Sequence, residues 1–88
     1  MGDLISIIIP AYNIESLIGN TLDSVLLQTY CNIEVIVVDD GSSDHTGVII
    51  DSYVKRDSRV KVIHKENGGV STARMAGIAI STGEWIGF

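Results

Sequence analysis

Three short polar segments in this 88-residue sequence carry residue types that could bind a ligand. Residues 10–13 read Pro-Ala-Tyr-Asn, residues 39–42 read Asp-Asp-Gly-Ser, and residues 67–69 read Asn-Gly-Gly. Carboxylates accept strong, charge-assisted hydrogen bonds, and an aromatic ring can lie along a flat ligand. Glycines allow close approach of a ligand to the backbone, or they simply form the turn. Whether these groups act together depends on the elements that position them.

Each polar segment follows an apolar stretch that predicts a β-strand. Residues 4–9, 33–38 and 60–64 are short, rich in β-branched residues and apolar at most positions, which is typical of strands covered on both faces. We expect Pro10 to end the first strand. Residues 85–88 predict the beginning of a fourth strand.

Helical periodicity lies between the strands. Apolar residues at helical spacing predict helices over residues 15–28, 46–55 and 70–80. Residues 41–44 supply turn and N-cap chemistry before the second helix, and Gly83 closes the third. The apolar faces of the first two helices are predicted to contain Leu17, Ile18, Leu22, Val25 and Leu26, and Val48, Ile49, Ser52 and Tyr53.

Strict alternation of strands and helices predicts one α/β domain over residues 1–88. Right-handed βαβ crossovers would give a Rossmann-like, open and mostly parallel sheet. In such sheets a ligand binds beyond the carboxyl ends of the strands, where the strand order reverses. All three polar segments are expected at that edge.

Composition excludes several classes of protein. The net charge of −5, from 11 acidic and 6 basic residues, opposes attraction to nucleic acid, so no nucleic-acid partner is expected. Cys31 is the only cysteine, which favours a reducing compartment and a loop role for this residue. No apolar run is long enough to span a bilayer. Residues 1–6 match a myristoylation pattern, but Ser6 falls inside a predicted strand, so lipidation is not expected.

Familiar phosphate-binding motifs are missing. The sequence has neither a G-x-x-x-x-G-K-[ST] loop nor a G-x-G-x-x-G turn after the first strand. A phosphate-receiver domain would carry its acidic pair after the first strand and an aspartate after the third, where this chain has residues 64–66, His-Lys-Glu. His45 and His64 are interpreted as surface or strand-end residues, because no metal set or triad is evident around them.

Three motifs in order, together with two shorter ones, resemble glycosyltransferase family 2, whose members have the GT-A fold. They are Pro-x-Tyr-Asn at 10–13, Val-Asp-Asp-Gly-Ser at 38–42, Glu-Asn-Gly-Gly-Val-Ser-Thr-Ala-Arg at 66–74, Leu-Gln-Thr-Tyr at 27–30, and Thr-Gly-Glu-Trp-Ile at 82–86. The resemblance extends from Leu4 to Phe88. It departs from the family at Met75, where an asparagine is usual.

The resemblance implies an enzyme that binds a nucleotide-diphosphate sugar, by family habit a UDP-sugar. It would transfer the sugar with inversion to a saccharide or lipid-linked acceptor in cell-surface polysaccharide or glycoconjugate synthesis. In the family, an Asp-x-Asp motif directly after the fourth strand holds Mn²⁺ or Mg²⁺, and the catalytic base and acceptor site follow. Those groups would lie beyond Phe88, so we expect residues 1–88 to be an inactive front half. A non-catalytic binding or interaction module of the same fold is the alternative.

The resemblance and the residue chemistry together give roles to the acidic pair. A carboxylate beyond a strand end can accept a hydrogen bond from the imide N–H of uracil. We assign this role first to Asp40 and second to Asp39, because neighbouring side chains on a strand face opposite sides. Alternatively, both carboxylates are solvated or cap the next helix.

Further donor-binding residues follow from the same motifs. Tyr12 could stack on the base from a turn set by Pro10 and Ala11, or it could be a half-buried tyrosine. Arg74 could bridge the diphosphate, or pair with an aspartate of the acidic pair. Two residues complete the predicted donor site, Gly68 through close backbone approach and Glu15 through its carboxylate, although turn formation and helix-start charge also explain them.

Two further expectations concern the association of copies of the chain and the location of the protein in the cell. An exposed sheet edge or uncovered apolar face could let copies of the chain associate. We expect a cytoplasmic location, either free or at the inner face of the membrane.

Overall fold

A computed structural model describes residues 4–27, 32–83 and 85–87, and their side chains except those of residues 70, 71 and 85–87. Strands and helices alternate along the chain, as predicted. The elements are β1 (Ile5–Ala11), α1 (Ile18–Leu26), β2 (Ile33–Asp40), α2 (Thr46–Arg56), β3 (Val60–Lys65), α3 (Val70–Ile80) and β4 (Trp85–Gly87).

The described strands form one parallel sheet in the order β3-β2-β1-β4. The chain builds outward from β1 to β3 and then returns to the other side of β1 with β4. The strand order therefore reverses at β1. Ala11 lies beside Asp39 at the carboxyl ends of β1 and β2, and Asp40 lies beside Lys65 at the ends of β2 and β3. This register brings the polar segments to one edge, which confirms the predicted α/β fold.

The two faces of the sheet are covered by different helices. On one face, α1 and α2 pack on β1, β2 and β3. On the other face, α3 packs on β1 and β2. The buried residues of the first cluster are Ala11, Ile18, Leu22, Ile33, Val35, Val37, Ile50, Tyr53 and Val60, and those of the second are Ile8, Ile36, Val38 and Ala73.

Helix α3 lies unusually close to the sheet at Gly77. A Cβ atom at this position would be 2.4 Å from Cγ2 of Ile8, closer than side-chain contacts allow. By contrast, a Cβ atom at Gly19 in α1 would lie 3.6 Å from the Tyr53 hydroxyl, an ordinary contact. Of these two glycines, therefore, only Gly77 is required by close packing.

Every residue of β2 is buried, including the charged residues Glu34, Asp39 and Asp40. Buried charges are costly unless hydrogen-bonded partners compensate them. Glu34 accepts hydrogen bonds from Lys61 Nζ (2.7 Å) and from the N–H of Thr82 (2.6 Å), as well as from other groups of the same cluster. The pairing explains how a carboxylate tolerates the centre of the sheet.

The Glu34 cluster joins the amino-terminal half of the sheet to the segment before β4. Glu34 also accepts hydrogen bonds from the Ser6 hydroxyl and the N–H of Gly83, and Gly83 donates in addition to Ser6 Oγ. Burial alone would raise the pKa of Glu34, but the bonds from Lys61, Ser6 and Thr82 outweigh it and lower the pKa from 4.5 to about 2. The ionised carboxylate is therefore the form that the fold stabilises.

Several predicted boundaries were wrong. Strand β2 was predicted to end at residue 38 but includes both aspartates and ends at Asp40, and β3 and α2 each end one residue later than predicted. Strand β1 does not end at Pro10 but continues through it to Ala11, with Pro10 beside Val38. The fixed φ of proline suits an extended backbone near a strand end, and the described pairing with β4 reaches only Ile7. The first helix begins at Ile18 rather than at residue 15, because residues 15–17 form a turn.

The predicted helix faces were correct except at three positions, Leu17, Val48 and Ser52, which are all exposed. Leu17 precedes the first turn of α1 and is 58% exposed. In α2, Val48 is exposed, whereas Ile50 is buried with Tyr53. The helix begins with a buried Thr46, and this sets its rotation so that Ile50, one turn later, faces the sheet.

Several expectations fall outside the described part of the chain. They concern Cys31, the end of the predicted helix at residue 28, most of the motif at 27–30, Glu84 and Phe88. Ser6 is buried within β1, as predicted. Within residues 4–27, 32–83 and 85–87, no helix is long and apolar enough to cross a membrane.

Candidate functional site

A cleft of about 600 Å³ opens at the carboxyl ends of β2 and β3. It lies between the loop that leaves β2 and the loop that leaves β3. Its lining is polar and contains both acidic and basic groups. The lining residues are Asp39, Gly41, Ser42, His64, Lys65, Glu66 and Asn67. The cleft therefore occupies the sheet edge at which the sequence predicted a ligand.

Asp39 lies on the α2 side of the sheet and is 6% exposed. Its Oδ1 accepts the backbone N–H of Ser42 at 3.1 Å, which closes the turn formed by residues 39–42, here called the acidic turn. Its Oδ2 lies 2.9 Å from Nδ1 of His64. The first helical turn of α2 comes so close that a Cβ atom at Gly47 would be 2.7 Å from Oδ2 of Asp39. Asp39 is thus held on three sides.

His64 bridges two carboxylates, which sequence reasoning did not foresee. Nδ1 faces Asp39, and Nε2 lies 2.8 Å from Oδ1 of Asp51 on α2. The bonds to Asp51 and then Asp39 raise the pKa of His64 above 6.5. His64 is a strand-end residue, as predicted, but it has specific partners. Asp39 lies beside His64 through the pairing of β2 with β3, a register that the sequence pattern does not specify.

Asp40 points to the opposite side of the sheet and is 4% exposed. Its Oδ1 accepts hydrogen bonds from Lys65 Nζ (2.7 Å) and from the N–H of Gly68 (3.0 Å), and its Oδ2 accepts the N–H of Gly69 at 2.9 Å. The bond from Lys65 leads the effects that lower the pKa of Asp40. This carboxylate fixes the glycine loop at the start of α3.

The expectation that the two carboxylates face opposite sides is confirmed, and the alternative that both are solvated was wrong, because both are buried. Helix capping falls to a different carboxylate. Asp44 Oδ1 accepts the N–H of Thr46, the first residue of α2, at 2.9 Å. Asp44 is one of the residues that the sequence suggested for this purpose.

The loops after β2 and β3 touch at Gly41. Gly41 has a φ of +76°, and a Cβ atom there would lie 2.6 Å from the backbone nitrogen of Asn67. Asn67 donates from Nδ2 to the carbonyl oxygen of Asp40 at 3.2 Å. Gly68 is similarly confined, since its Cβ would lie 2.7 Å from Oγ1 of Thr72. A side chain at position 41 would separate the two loops, whereas a side chain at position 68 would collide with the first turn of α3.

The loop after β1 is fastened to the loop after β2 through Asn13, a residue to which the sequence gave no separate role. Asn13 has a φ of +48°, its N–H donates to Ser42 Oγ at 3.0 Å, and its Oδ1 accepts the N–H of Ser43 at 2.8 Å. The N–H of Ile14 donates to Thr46 Oγ1 (2.9 Å), and the N–H of Glu15 donates to Asp44 Oδ2 (3.3 Å). The two loops thus form one hydrogen-bonded unit, here called the paired loops.

Tyr12 lies at the beginning of the paired loops and is 50% exposed. Pro10 is half-buried and Ala11 is buried, so the backbone before Tyr12 is anchored in the sheet. The tyrosine ring is open to a ligand at the sheet edge. Glu15 is exposed, and its Oε2 lies 3.2 Å from Nδ1 of His45. That contact belongs to the same loop unit.

Arg74 lies on the exposed surface of α3, one turn after the beginning of the helix. The hydrogen bonds described above for the Asp39 and Asp40 carboxylates are made with residues other than Arg74. Met75 is 69% exposed beside it. Among the predicted site residues, Asp39 lines the cleft, and Asp40 and Gly68 are joined to each other directly behind it.

Taken together, the described residues form a rigid edge of backbone turns, buried carboxylates and accessible polar atoms. Such an edge can recognise a polar ligand by hydrogen bonding. No group of three or more His, Cys, Asp or Glu residues within the described ranges could hold a metal ion.

The model of the family described as Glycosyl transferase family 2 matches residues 6–88. This chain belongs to that family. The glycosyltransferase match includes all three polar segments of the site. Among curated relatives, the uncharacterized glycosyltransferase EpsJ of Bacillus subtilis is 51% identical over 88 residues. The alignment covers 100% of this chain and 26% of EpsJ. This chain spans about a quarter of the length of that relative.

Solved structures of glycosyltransferases share the fold. The mannosyltransferase PcManGT from Pyrobaculum calidifontis, in complex with GDP-Man and Mn²⁺, superposes with a TM-score of 0.86 and 28% identity over 93% of this chain and 25% of that protein. Staphylococcus aureus TarS 1–349, in complex with UDP-GlcNAc, gives a TM-score of 0.84 and 34% identity over 93% of this chain and 24% of that protein. The fold is the predicted GT-A fold.

Proposed function

We propose that residues 1–88 are the donor-binding portion of a longer, inverting glycosyltransferase that uses a nucleotide-diphosphate sugar, most often a UDP-sugar. The observation that carries the proposal is the buried acidic turn at the carboxyl end of the central strand, in a family 2 chain that superposes on glycosyltransferases in complex with UDP-GlcNAc and GDP-Man. Its acceptor is a saccharide or a lipid-linked acceptor of cell-surface polysaccharide or glycoconjugate synthesis.

In this proposal Asp40 is the first choice for recognition of the nucleobase. An ionised carboxylate has about four acceptor positions, and the bonds from Lys65, Gly68 and Gly69 use three of them. A remaining position can accept the imide N–H of uracil. The lowered pKa of Asp40 keeps it ionised and therefore acceptor-only. Asp39 is the second choice because it reaches the cleft directly.

The other donor contacts come from the edges of the same site. Tyr12 stacks on the base, and Pro10 and Ala11 fix the backbone from which it projects. The N–H of Gly68 faces Asp40, so Gly68 acts through the shape of the loop. Glu15 borders the donor pocket, and Arg74 contacts the diphosphate with its planar guanidinium.

The metal, the catalytic base and the acceptor site belong to the longer protein in this proposal. PcManGT was solved with Mn²⁺, and a divalent metal, Mn²⁺ or Mg²⁺, would be held here by residues that follow Phe88. Residues 1–88 alone would bind the donor nucleotide without transferring a sugar. We place the protein in the cytoplasm, either free or at the inner face of the membrane.

Calorimetric titration of the full-length protein with UDP, GDP and TDP in the presence of Mn²⁺ tests the proposal. We expect UDP to bind most tightly and Asp40→Ala to weaken its binding by about fivefold or more, because a charged hydrogen bond is lost. Asp40→Asn should weaken it similarly with less disturbance of the loop. Asp57→Asn is the matched control, because Asp57 pairs with Arg59 at the far end of α2. Equal UDP affinity in Asp40→Ala and wild type would contradict the assignment.

A further inference from the structure

His64, near the end of β3, lies between two acids, Asp39 on β2 and Asp51 on α2. His64 Nδ1 is 2.9 Å from Asp39 Oδ2, and Nε2 is 2.8 Å from Asp51 Oδ1. A neutral imidazole carries one N–H and so can donate to only one of the two carboxylates. The doubly protonated ring donates to both. The geometry on both sides of the ring therefore fits the imidazolium form.

The bridge continues into the acidic turn. Asp39 uses its second oxygen, Oδ1, to accept the N–H of Ser42. Ser42 Oγ in turn accepts the N–H of Asn13 from the paired loops. A chain of hydrogen bonds thus runs from Asp51 on α2, through His64 and Asp39, to the loop that carries Tyr12. Each link joins a different element of the fold.

Burial differs along this chain of bonds. The Asp39 side chain is 8% exposed, whereas the side chains of His64 and Asp51 are 47% and 51% exposed. A buried carboxylate has few ways to replace a lost partner, whereas water can solvate the exposed Asp51. Loss of the charge on His64 would therefore disturb the interactions of Asp39 more than those of Asp51.

We propose that His64 is a positioning residue, which in its imidazolium form bridges Asp39 and Asp51 and holds the acidic turn in the conformation that receives the donor nucleotide. The inference rests on the proposed function, because it concerns the same site. It adds that donor affinity is linked to the protonation of a residue that need not touch the donor.

The charged groups around His64 determine whether donor affinity rises or falls with pH. Asp39 faces it from β2 and Asp51 from α2, and Lys65 and Glu66 line the same cleft. Lys65 Nζ bonds to Asp40 on the other side of the sheet. The two facing carboxylates raise the pKa of His64 above 6.5. The contribution to binding is therefore present while His64 is protonated and is lost as the pH rises through its raised pKa.

The test measures the affinity of the full-length protein for UDP with Mg²⁺ between about pH 5.5 and about pH 8.5. Wild type, His64→Gln and Asp51→Asn are compared, with His45→Gln as a control that removes the other imidazole. The ratio of variant to wild-type dissociation constants cancels the titration of UDP itself. We expect His64→Gln to bind about fivefold more weakly than wild type at low pH and equally at high pH.

A second readout separates positioning from folding. In the ¹³C NMR spectrum of the histidine-labelled protein, the His64 resonance should titrate with a midpoint above 6.5, and Asp51→Asn should lower that midpoint. A merely structural contact would change the melting temperature without moving the pH profile of binding. Asp51→Asn should keep a pH-dependent affinity, shifted to lower pH, because the bond to Asp39 remains.

Three outcomes would overturn the inference. They are a constant variant-to-wild-type ratio for His64→Gln across the pH range, a His64 midpoint at or below 6.5, and a loss of the pH dependence in His45→Gln rather than in His64→Gln. A lack of nucleotide binding by every protein at every pH would instead contradict the proposed function. The two failures are therefore distinguishable.

Discussion

Neighbouring residues on a strand face opposite sides of the sheet, and at the end of β2 this separates two carboxylates that are adjacent in the sequence. Asp39 contacts His64 on the α2 side, and Asp40 contacts the glycine loop on the α3 side. Both are buried, so each needs the partners that it has. At this scale the recognition site consists of atoms that are already fixed by hydrogen bonds. Tyr12 differs, since half of its surface is exposed.

The exposure of Tyr12 gives a prediction for a single residue. Tyr12→Ala in the full-length protein should weaken UDP binding by about fivefold or more, because stacking of a base on an aromatic ring is lost. Tyr12→Phe keeps the ring and should bind UDP as wild type does. Isothermal titration measures both affinities. Normal affinity in a folded Tyr12→Ala protein would leave Tyr12 as an ordinary surface tyrosine.

At the scale of elements, the approach of α3 to the sheet depends on Gly77. Helix propensity alone favours alanine over glycine by about 1 kcal/mol. Here, however, the added Cβ would lie 2.4 Å from Cγ2 of Ile8, which is buried in the centre of the second cluster. The clash at a tightly packed contact outweighs the propensity because the neighbouring side chain has no free space to enter.

Gly77→Ala should therefore destabilise the full-length protein by about 1–3 kcal/mol, the usual cost of overpacking. Gly19→Ala is a matched control, because it also lies within a helix and its Cβ would meet only an ordinary contact at 3.6 Å. That control should be neutral or slightly stabilising. Thermal unfolding followed by circular dichroism compares the two. Equal melting temperatures would show that α3 can shift away from Ile8 at little cost.

Element types and their order were predictable from the sequence, because apolar periodicity reports which faces are buried. The opposite orientation of Asp39 and Asp40 was predictable because successive side chains of a strand point to opposite faces of the sheet. The partners of His64 and Glu34 were not. His64 meets Asp51 only after α2 has packed on β3, and Glu34 meets Thr82 only because β4 lies beside β1. Strand order and register, which periodicity does not specify, bring these residues together.

At the scale of the whole molecule, the sheet has a polar anchor at each end of its central strand. Glu34 holds the segment before β4 near one end, and the acidic turn holds the loops at the other end. Several large apolar side chains remain exposed, including Leu27 directly after α1, Val48 on α2 and Met75 on α3. Association of copies of the chain through such surfaces stays a prediction.

The Glu34 anchor gives this part of the protein a defined acid sensitivity. Its pKa is about 2 in the folded protein and 4.5 ordinarily, so its stabilisation is complete above pH 4.5 and is lost as the pH falls toward about 2. The full effect is on the order of 2–3 kcal/mol. Hydrogen exchange of β1 and β2 amides in the full-length protein, corrected for intrinsic rates, measures it.

Glu34→Gln should lower the protection of these amides at neutral pH. The further loss of protection that wild type shows in acid should be mostly absent in this variant. Glu66→Gln is the control, because that carboxylate is exposed in the loop after β3. Protection that falls with acid as steeply in Glu34→Gln as in wild type would assign the acid sensitivity to other carboxylates.

The paired loops have a consequence for exchange of parts between relatives. Residues 13–15 and 42–46 supply each other with hydrogen-bond partners, so neither loop has a complete set when it is transplanted alone. In chimaeras between family members, the two segments should keep their structure only when they are exchanged together. Insertions in either loop should be tolerated only with a matching change in the other. Designers who wish to alter nucleotide preference would therefore move both loops in a single step.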